Sequence, residues 1–274
     1  MEAIFAVWQR DIIKFFRDRA RLFGSFAMPL MFLLIFGVGM NGALSSMFST
    51  SGMDQFTGFN YVSFIFPGII AMTVFSTSIF SALSVVTDRE EGYMKEILVS
   101  PVSRTYVAIG KIFGSATVAV IQGLLMLAFV PLIGVEVELM NIIKLIPAML
   151  LVAFTLSSIG LLVASTLKTA TGFQAVIQVL IFPMLFLSGA FFPLNGMPGW
   201  MNALVKVNPM TYAVDMFKHI MLDVGSMNEV LKQAMGLNLK LLGHSVSTLE
   251  EITFIACIGA LFVMLATVFF NRSG

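Results

Sequence analysis

Six stretches of the chain are apolar almost without interruption, over residues 22–44, 61–86, 105–133, 144–167, 171–192 and 252–271. A helix crosses the roughly 30 Å hydrocarbon core of a bilayer in about 20 residues, so each stretch is long enough to span. None alternates with the period of two that a lipid-facing barrel requires. The segment ahead of them is of another kind. In residues 3–21, Ile4, Phe5, Trp8, Ile12, Phe15 and Phe16 recur at spacings of three and four, with Arg10, Lys14, Arg17, Asp18 and Arg21 opposite. Trp on the apolar side and cations on the other predict a helix lying in the headgroup plane. Such a helix serves as an anchor alone or also touches a cytoplasmic partner.

The fifth run ends in Leu187-Ser-Gly-Ala-Phe-Phe-Pro-Leu-Asn-Gly-Met-Pro-Gly-Trp200, where Gly and Pro break the helix. The apolar residues 201–207 that follow are too few to span, and Asn208-Pro209 marks a second turn. This pattern predicts a segment that dips partly back into the membrane, its irregular backbone buried in protein or lining a wet cavity. The plain alternative is an ordinary outer loop. Residues 210–224 then predict an amphipathic helix, and 225–250 a polar outer region. The expected fold is an all-α integral membrane domain over 1–274: six transmembrane helices, an N-terminal amphipathic helix, and a broken, re-entrant stretch within the outer segment 193–250.

Composition agrees. Apolar residues make up 58% and charged residues 11%, against about 45–50% and about 25% in soluble domains. A net charge of +1 argues against a nucleic-acid surface. Lys and Arg set the orientation. The N-terminus, the loops after the second and fourth runs and the C-terminus hold eleven: Arg10, Lys14, Arg17, Arg19, Arg21, Arg89, Lys95, Arg104, Lys111, Lys168 and Arg272. The opposite side holds five: Lys144, Lys206, Lys218, Lys232 and Lys240. Both termini are expected in the cytoplasm, with the chain multi-pass in the inner or plasma membrane. The twenty or so mixed residues before the first full-length run do not form a secretory signal.

Candidate chemistry is sparse. The lone Cys257 reads as a packing residue. His219 and His244 lie apart among polar residues, and no metal role is expected for them. Gln122, Gln174 and Gln178 are the main strongly polar side chains in the spans, and read as interhelical hydrogen-bond partners. No acid or base sits at mid-depth in any run, so ion-coupled transport lacks its usual groups. Gly110-Lys111-Ile112 does not make a phosphate-binding loop, and no nucleophile–base pattern is present. The chain is expected to be no enzyme and to hold no cofactor, so energy for transport would arrive from a partner.

The place for it to arrive is the loop 87–104. Thr87 or Asp88 is expected to cap a helix there, with the acids at its start favouring the dipole. Glu91 and Lys95 form an i,i+4 pair. Ile97, Leu98 and Val99 then place apolar side chains on a cytoplasmic loop before Ser100-Pro101. An ordered charged helix with an apolar tip is a docking surface; a merely solvated loop is the alternative.

The chain resembles the membrane subunit of type-2 ATP-binding-cassette exporters, nearest the drug-resistance and nodulation branch. The likeness rests on six spans after an amphipathic helix and on Asp88-Arg-Glu-Glu-Gly-Tyr-Met-Lys-Glu-Ile-Leu-Val-Ser-Pro-Val-Ser-Arg104, similar to the family's acidic-Gly-Leu-x-x-(Ser/Ala)-Pro loop. It rests also on Pro67-Gly68-Ile69, on Leu187-Ser-Gly-Ala-Phe-Phe-Pro-Leu, on Pro198-Gly-Trp200 and on Asn208-Pro-Met-Thr-Tyr212. It implies a homodimer in the lipid bilayer with two copies of a cytoplasmic ATPase subunit, ATP and Mg belonging to that partner. It implies that the loop is the coupling helix, carried by Asp88, Arg89, Glu90, Glu91, Gly92, Lys95, Glu96, Ile97, Leu98, Val99, Pro101 and Arg104. The N-terminal helix becomes the interface helix, and substrate passes between the two copies along the second and fifth spans.

On that reading the path is apolar, from Phe64, Phe75, Phe182 and Phe186 with Gln178, and Pro67, Gly68 and Gly189 mark weakened points in the helices. Such a lining suits amphipathic or hydrophobic substrates, drugs or lipids. A polysaccharide or glycolipid exporter is the alternative within the family; an ATP-independent channel or a membrane scaffold stands outside it.

Overall fold

The computed structural model describes residues 2–40, 42, 61–93, 103–135, 137–194, 197–222, 232, 236–237, 240–241 and 244–272. Apart from a two-residue hairpin, Lys240–Leu241 against His244–Ser245, its regular elements are helices. Helix α1 is Glu2–Arg17 and α2 is Arg19–Phe32, running on into a π-helical stretch, Leu33–Val38. Helix α3 is Tyr61–Ser81 and α4 is Leu83–Glu90. Helix α5 is Arg104–Leu127, and a single turn, α6, is Val130–Ile133. Helix α7 is Leu139–Thr166, α8 is Ala170–Phe186, α9 is Gly199–Val207, α10 is Pro209–Met221 and α11 is Thr248–Arg272.

Among the described residues, four helical segments are long and apolar enough to cross a membrane: Tyr61–Glu90 (α3 with α4), α5, α7 and α11. They coincide with the second, third, fourth and sixth runs of the sequence. The first run is α2 with its π-helical extension, interrupted by Pro29, which removes a backbone donor from the helix interior. The fifth run is the shorter α8, of 17 residues. The predicted amphipathic helix ends sooner than expected. It breaks at Asp18, and the chain turns by 70° between Glu2–Arg17 and Leu22–Gly37.

Helix α3 is the hub, almost wholly buried between α5, α7 and α10. Helix α7 packs along α11 and α5. Helix α11 is one-sided: Leu261, Met264, Leu265, Val268 and Phe269 lie exposed. Its start is fixed by a reciprocal cap, in which the Ser247 amide donates to Glu250 Oε2 at 2.8 Å and the Glu250 amide to Ser247 Oγ at 3.4 Å.

Helix α1 packs along α5, and small residues decide how close it comes. A Cβ on Gly110 would lie 2.9 Å from Val7 Cβ, and one on Gly114 3.0 Å from Asp11 Cβ. Two glycines four apart open one face of α5 to a neighbouring backbone. Trp8 Nε1 donates to Thr117 Oγ1 at 3.0 Å on the same face. Phe5, Ile13 and Phe16 stay exposed, which suits a helix resting on lipid.

Gln122 fulfils its expected role: fully buried on α5, it bonds Ser25 of α2 and Thr77 of α3. Gln174 and Gln178 instead lie exposed on α8.

Candidate functional site

The contacts gather one end of the bundle. Arg10 of α1 reaches Asp88 at the end of α4. Arg89 Nη1 donates to the Leu167 carbonyl at 2.9 Å, just past α7. Glu90 Oε1 accepts the Ala170 amide at 2.9 Å, at the start of α8. Arg104 Nη1 donates to the Asn271 carbonyl at 3.0 Å, in the last turn of α11. The segments that the Lys and Arg pattern grouped on one side are therefore grouped in space.

Asp88 is the centre of this end. It is buried, and Arg10 Nη2 bonds both of its oxygens, at 3.0 and 2.9 Å. Lys111 Nζ lies 3.4 Å from Oδ2 and Lys14 Nζ 3.7 Å from Oδ1. Lys111, equally buried, also pairs with Asp11 at 3.0 Å and donates to Ser84 Oγ at 3.2 Å. Two acids and three cations thus share one network. Burying a charge is tolerable only with such pairing. The network also answers a helix-dipole conflict, since Asp88 and Glu90 sit at the C-terminal end of α4, where acids are unfavourable.

That position corrects one expectation. Thr87 and Asp88 do not cap a new helix. The span continues through them, Thr87 Oγ1 bonds back to the Leu83 and Ser84 carbonyls, and the helix ends at Glu90. Gly92 follows in the left-handed region, φ 83°. Glu91 and Tyr93 are exposed and border an open cleft of about 960 Å3, shared with Arg10, Ile13, Lys14, Arg17, Asp18 and Asp88. Of the residues expected to couple to a partner, Lys95, Glu96, Ile97, Leu98, Val99 and Pro101 lie outside the described residues. Three consecutive residues, Asp88, Arg89 and Glu90, nonetheless join the loop to α1 and α5, to the end of α7 and to the start of α8.

The predicted path residues divide. Phe64, Pro67, Gly68 and Phe75 are buried inside the chain, while Gln178, Phe182 and Phe186 lie on the exposed side of α8. Gly68 is a contact point: a Cβ there would sit 2.6 Å from the Ala190 carbonyl oxygen. Helix α8 ends in a turn with Gly189 at φ 76°, a conformation that only glycine adopts without strain. Side chains satisfy the irregular backbone around it. Asn208 Nδ2 donates to the Met184 carbonyl at 2.7 Å and Thr211 Oγ1 to that of Leu187 at 3.2 Å. Lys218 Nζ donates to the Gly189 carbonyl at 2.6 Å and Tyr61 to that of Phe191 at 2.8 Å.

Lys218 also sits over the Phe64 ring, 3.7 Å from its centroid. Burial pushes its ammonium down to about 7, and nearby Asp215 opposes the shift. Burial likewise raises the Asp215 carboxyl, against Glu251, His219 and Lys218. Asp215 and His219, one turn apart on α10, meet Glu251 at the start of α11. The pattern along the chain did not anticipate this second charged cluster. The i,i+4 spacing of Asp215 and His219 was its one local signal; Glu251 arrives from another helix.

A helical bundle with lipid-length apolar segments, an ionic node at one end and a stapled break after its fifth apolar run is a membrane protein. The sequence profile described as ABC-2 type transporter matches residues 2–222, and the chain belongs to that family as a membrane transport subunit. It is 29% identical over 217 residues to a putative transport permease, ycf38, of Cyanophora paradoxa, covering 78% of this chain and 72% of that one. It is 33% identical over 180 residues to the probable multidrug ABC transporter permease YbhR of Escherichia coli K12, covering 62% and 47%. Nodulation protein J of Rhizobium meliloti is 24% identical over 220 residues, covering 79% and 80%.

Proposed function

We propose that this chain is the membrane half of an ATP-driven exporter, working as a homodimer with two copies of a cytoplasmic ATPase subunit that holds ATP and Mg. The observation that carries the reading is the Asp88-Arg89-Glu90 turn. A push on the loop beyond Glu91 reaches three elements through direct bonds: α1 through Arg10, the end of α7 through Arg89 and the start of α8 through Glu90. In this arrangement Ile97, Leu98 and Val99 seat in an apolar cleft of the ATPase, and Glu91, Lys95, Glu96 and Arg104 orient them. The exposed side of α8, with Gln178, Phe182 and Phe186, faces the second copy and borders the path. Phe64 and Phe75, being internal, reach the path only if α3 repacks.

The fold is then six spans, with α2 and its extension as the first and α8 as the fifth. The stretch through α9 and α10 re-enters from the outer side. The end that gathers Arg10, Lys14, Arg89, Arg104 and Lys111 is cytoplasmic, as the excess of cations favours. The apolar side chains on α8 favour an amphipathic or hydrophobic substrate, drug or lipid, and the name of the Escherichia coli relative leans the same way.

The test is co-purification from the native membrane and export in vesicles. Wild-type protein brings down an ATPase subunit and exports an amphipathic dye. Ile97→Asp with Leu98→Asp loses both while keeping its gel-filtration profile. Retained export by that double variant would sink the coupling assignment, and a homodimer that never yields an ATPase would sink the exporter reading.

A further inference from the structure

The far end of the bundle from Asp88 carries a group of side chains that the transport reading does not use. Glu251 lies in the first turn of α11 and Asn271 in its last, where Asn271 Nδ2 donates to Thr105 Oγ1 at the start of α5. At about 1.5 Å per residue, Glu251 lies roughly 30 Å along the helix from that contact. There one ligand atom each of Asp215, His219 and Glu251 lies within 4.8 Å of the others.

Two carboxylates in so small a space need a cation or a proton between them. Glu251 is fully buried, yet among the described residues neither of its oxygens, nor Asp215 Oδ2, has a hydrogen-bond partner beyond the facing carboxyl group. A buried carboxylate is normally well provided with donors. Lys218, the nearest ammonium, is committed elsewhere: it donates to the Gly189 carbonyl and stacks over Phe64. The only other side chain of the group, His219, offers a ring nitrogen. Its Nδ1 lies 3.0 Å from the Asp215 carbonyl oxygen. The same nitrogen lies 3.8 Å from Asp215 Oδ1, so the ring sits beside the carboxylates.

There is also a way in. His219 borders an open cavity of about 760 Å3, lined too by Glu138, Asn141, Lys144 and Thr248. His219 is the member of the group that lines it.

We propose that Asp215, His219 and Glu251 form a binding site for a divalent transition-metal ion of the zinc class, clamping α10 to the start of α11. One imidazole nitrogen and two carboxylate oxygens suit zinc and cobalt better than calcium or magnesium, which favour all-oxygen shells. Three protein ligands leave a coordination position toward the cavity for water or another donor. The ion would pin the helix that staples the Gly189 turn, so that the outer end of the fifth apolar run is held by metal as the other end is held by the Asp88 node.

The test uses the full chain in detergent, with no histidine tag, stripped by chelator and titrated with Co2+. The expected result is saturable binding of about one ion per chain, with visible ligand-field bands that Zn2+ abolishes. Zn2+ should raise the melting temperature of the wild type. His219→Ala and Glu251→Gln should each weaken binding by at least the roughly 10–100-fold that loss of an outer-shell partner costs. Absence of saturable Co2+ binding by the wild type overturns the proposal without relying on any variant. Binding that both variants keep unchanged overturns it as well. If the wild type ignores metal and Glu251→Gln is simply more stable, the two carboxylates share a proton instead.

Discussion

Asp88 and Glu251 are carboxylates of nearly equal burial, 2% and 0% exposed, at opposite ends of the same bundle. Asp88 has three cations around it, one bonded to both of its oxygens. Glu251 has an acid beside it and, among the described residues, no other hydrogen-bond partner. The first arrangement completes itself from the chain's own residues. The second sets two carboxyl groups face to face, with a proton or a cation needed between them. Burial alone therefore says little about a charge; what decides its role is whether its neighbours satisfy it. A satisfied node is a structural joint, suited to passing movement. An unsatisfied one is a place for something to bind.

The sharpest way to break this contrast is Asp88→Ala. It strands Arg10 and Lys111 in a buried network, and loss of one partner of a buried pair costs about 3–5 kcal/mol. The expected result is a large fall in folded protein by fluorescence-detected gel filtration, and a lower melting temperature in what remains. Glu251→Gln in metal-stripped protein should do the opposite, leaving the melting temperature unchanged or raised. A matched loss in both variants would erase the distinction.

Next in size are the close helix contacts. Gly68→Ala sets a methyl against the Ala190 carbonyl, an overpacking that costs about 1–3 kcal/mol. It should loosen the Gly189 turn, read as faster proteolysis near residue 189. Gly110→Val, of similar size, should lift α1 from α5 and weaken the Asp11–Lys111 pair, seen as higher exposure of Trp8 to a soluble quencher. The smallest effect expected is that of Asn208→Ala. Asn208 Oδ1 accepts the Met210 amide at 3.0 Å as the cap of α10, and losing such a cap costs about 0.5–2 kcal/mol. That loss should fall as Zn2+ is added, because a metal clamp on α10 would hold what the cap no longer does.

The parts of the fold that the sequence disclosed are those written in neighbouring residues. Apolar runs located α3, α5, α7 and α11, because a helix facing lipid and protein has no polar side to interrupt it. Gly and Pro after Phe186 located the break that Gly189 makes. The caps at Asn208 and Ser247 are local as well. Gly110 and Gly114 lie four apart on one helical face, but only the structure shows that α1 occupies it. The charged clusters were not visible. Lys111 and Asp11 lie 100 residues apart, and nothing in either neighbourhood selects the other. The loop 87–104 read as a helix starting at Thr87 because a cap followed by acids is the usual start signal. In the structure the preceding span runs on through Thr87 to Glu90, and distant cations answer Asp88.

The sequence by itself determined a helical membrane domain, its long spans, its amphipathic entry helix and the point where the fifth run breaks. These follow from hydropathy and backbone geometry, which act over one or two turns. Only the tertiary structure decided which charges meet. Packing brought Arg10, Lys14 and Lys111 to Asp88, and brought Glu251 to Asp215 and His219. Coulomb forces act through space, and their partners are chosen by how helices pack.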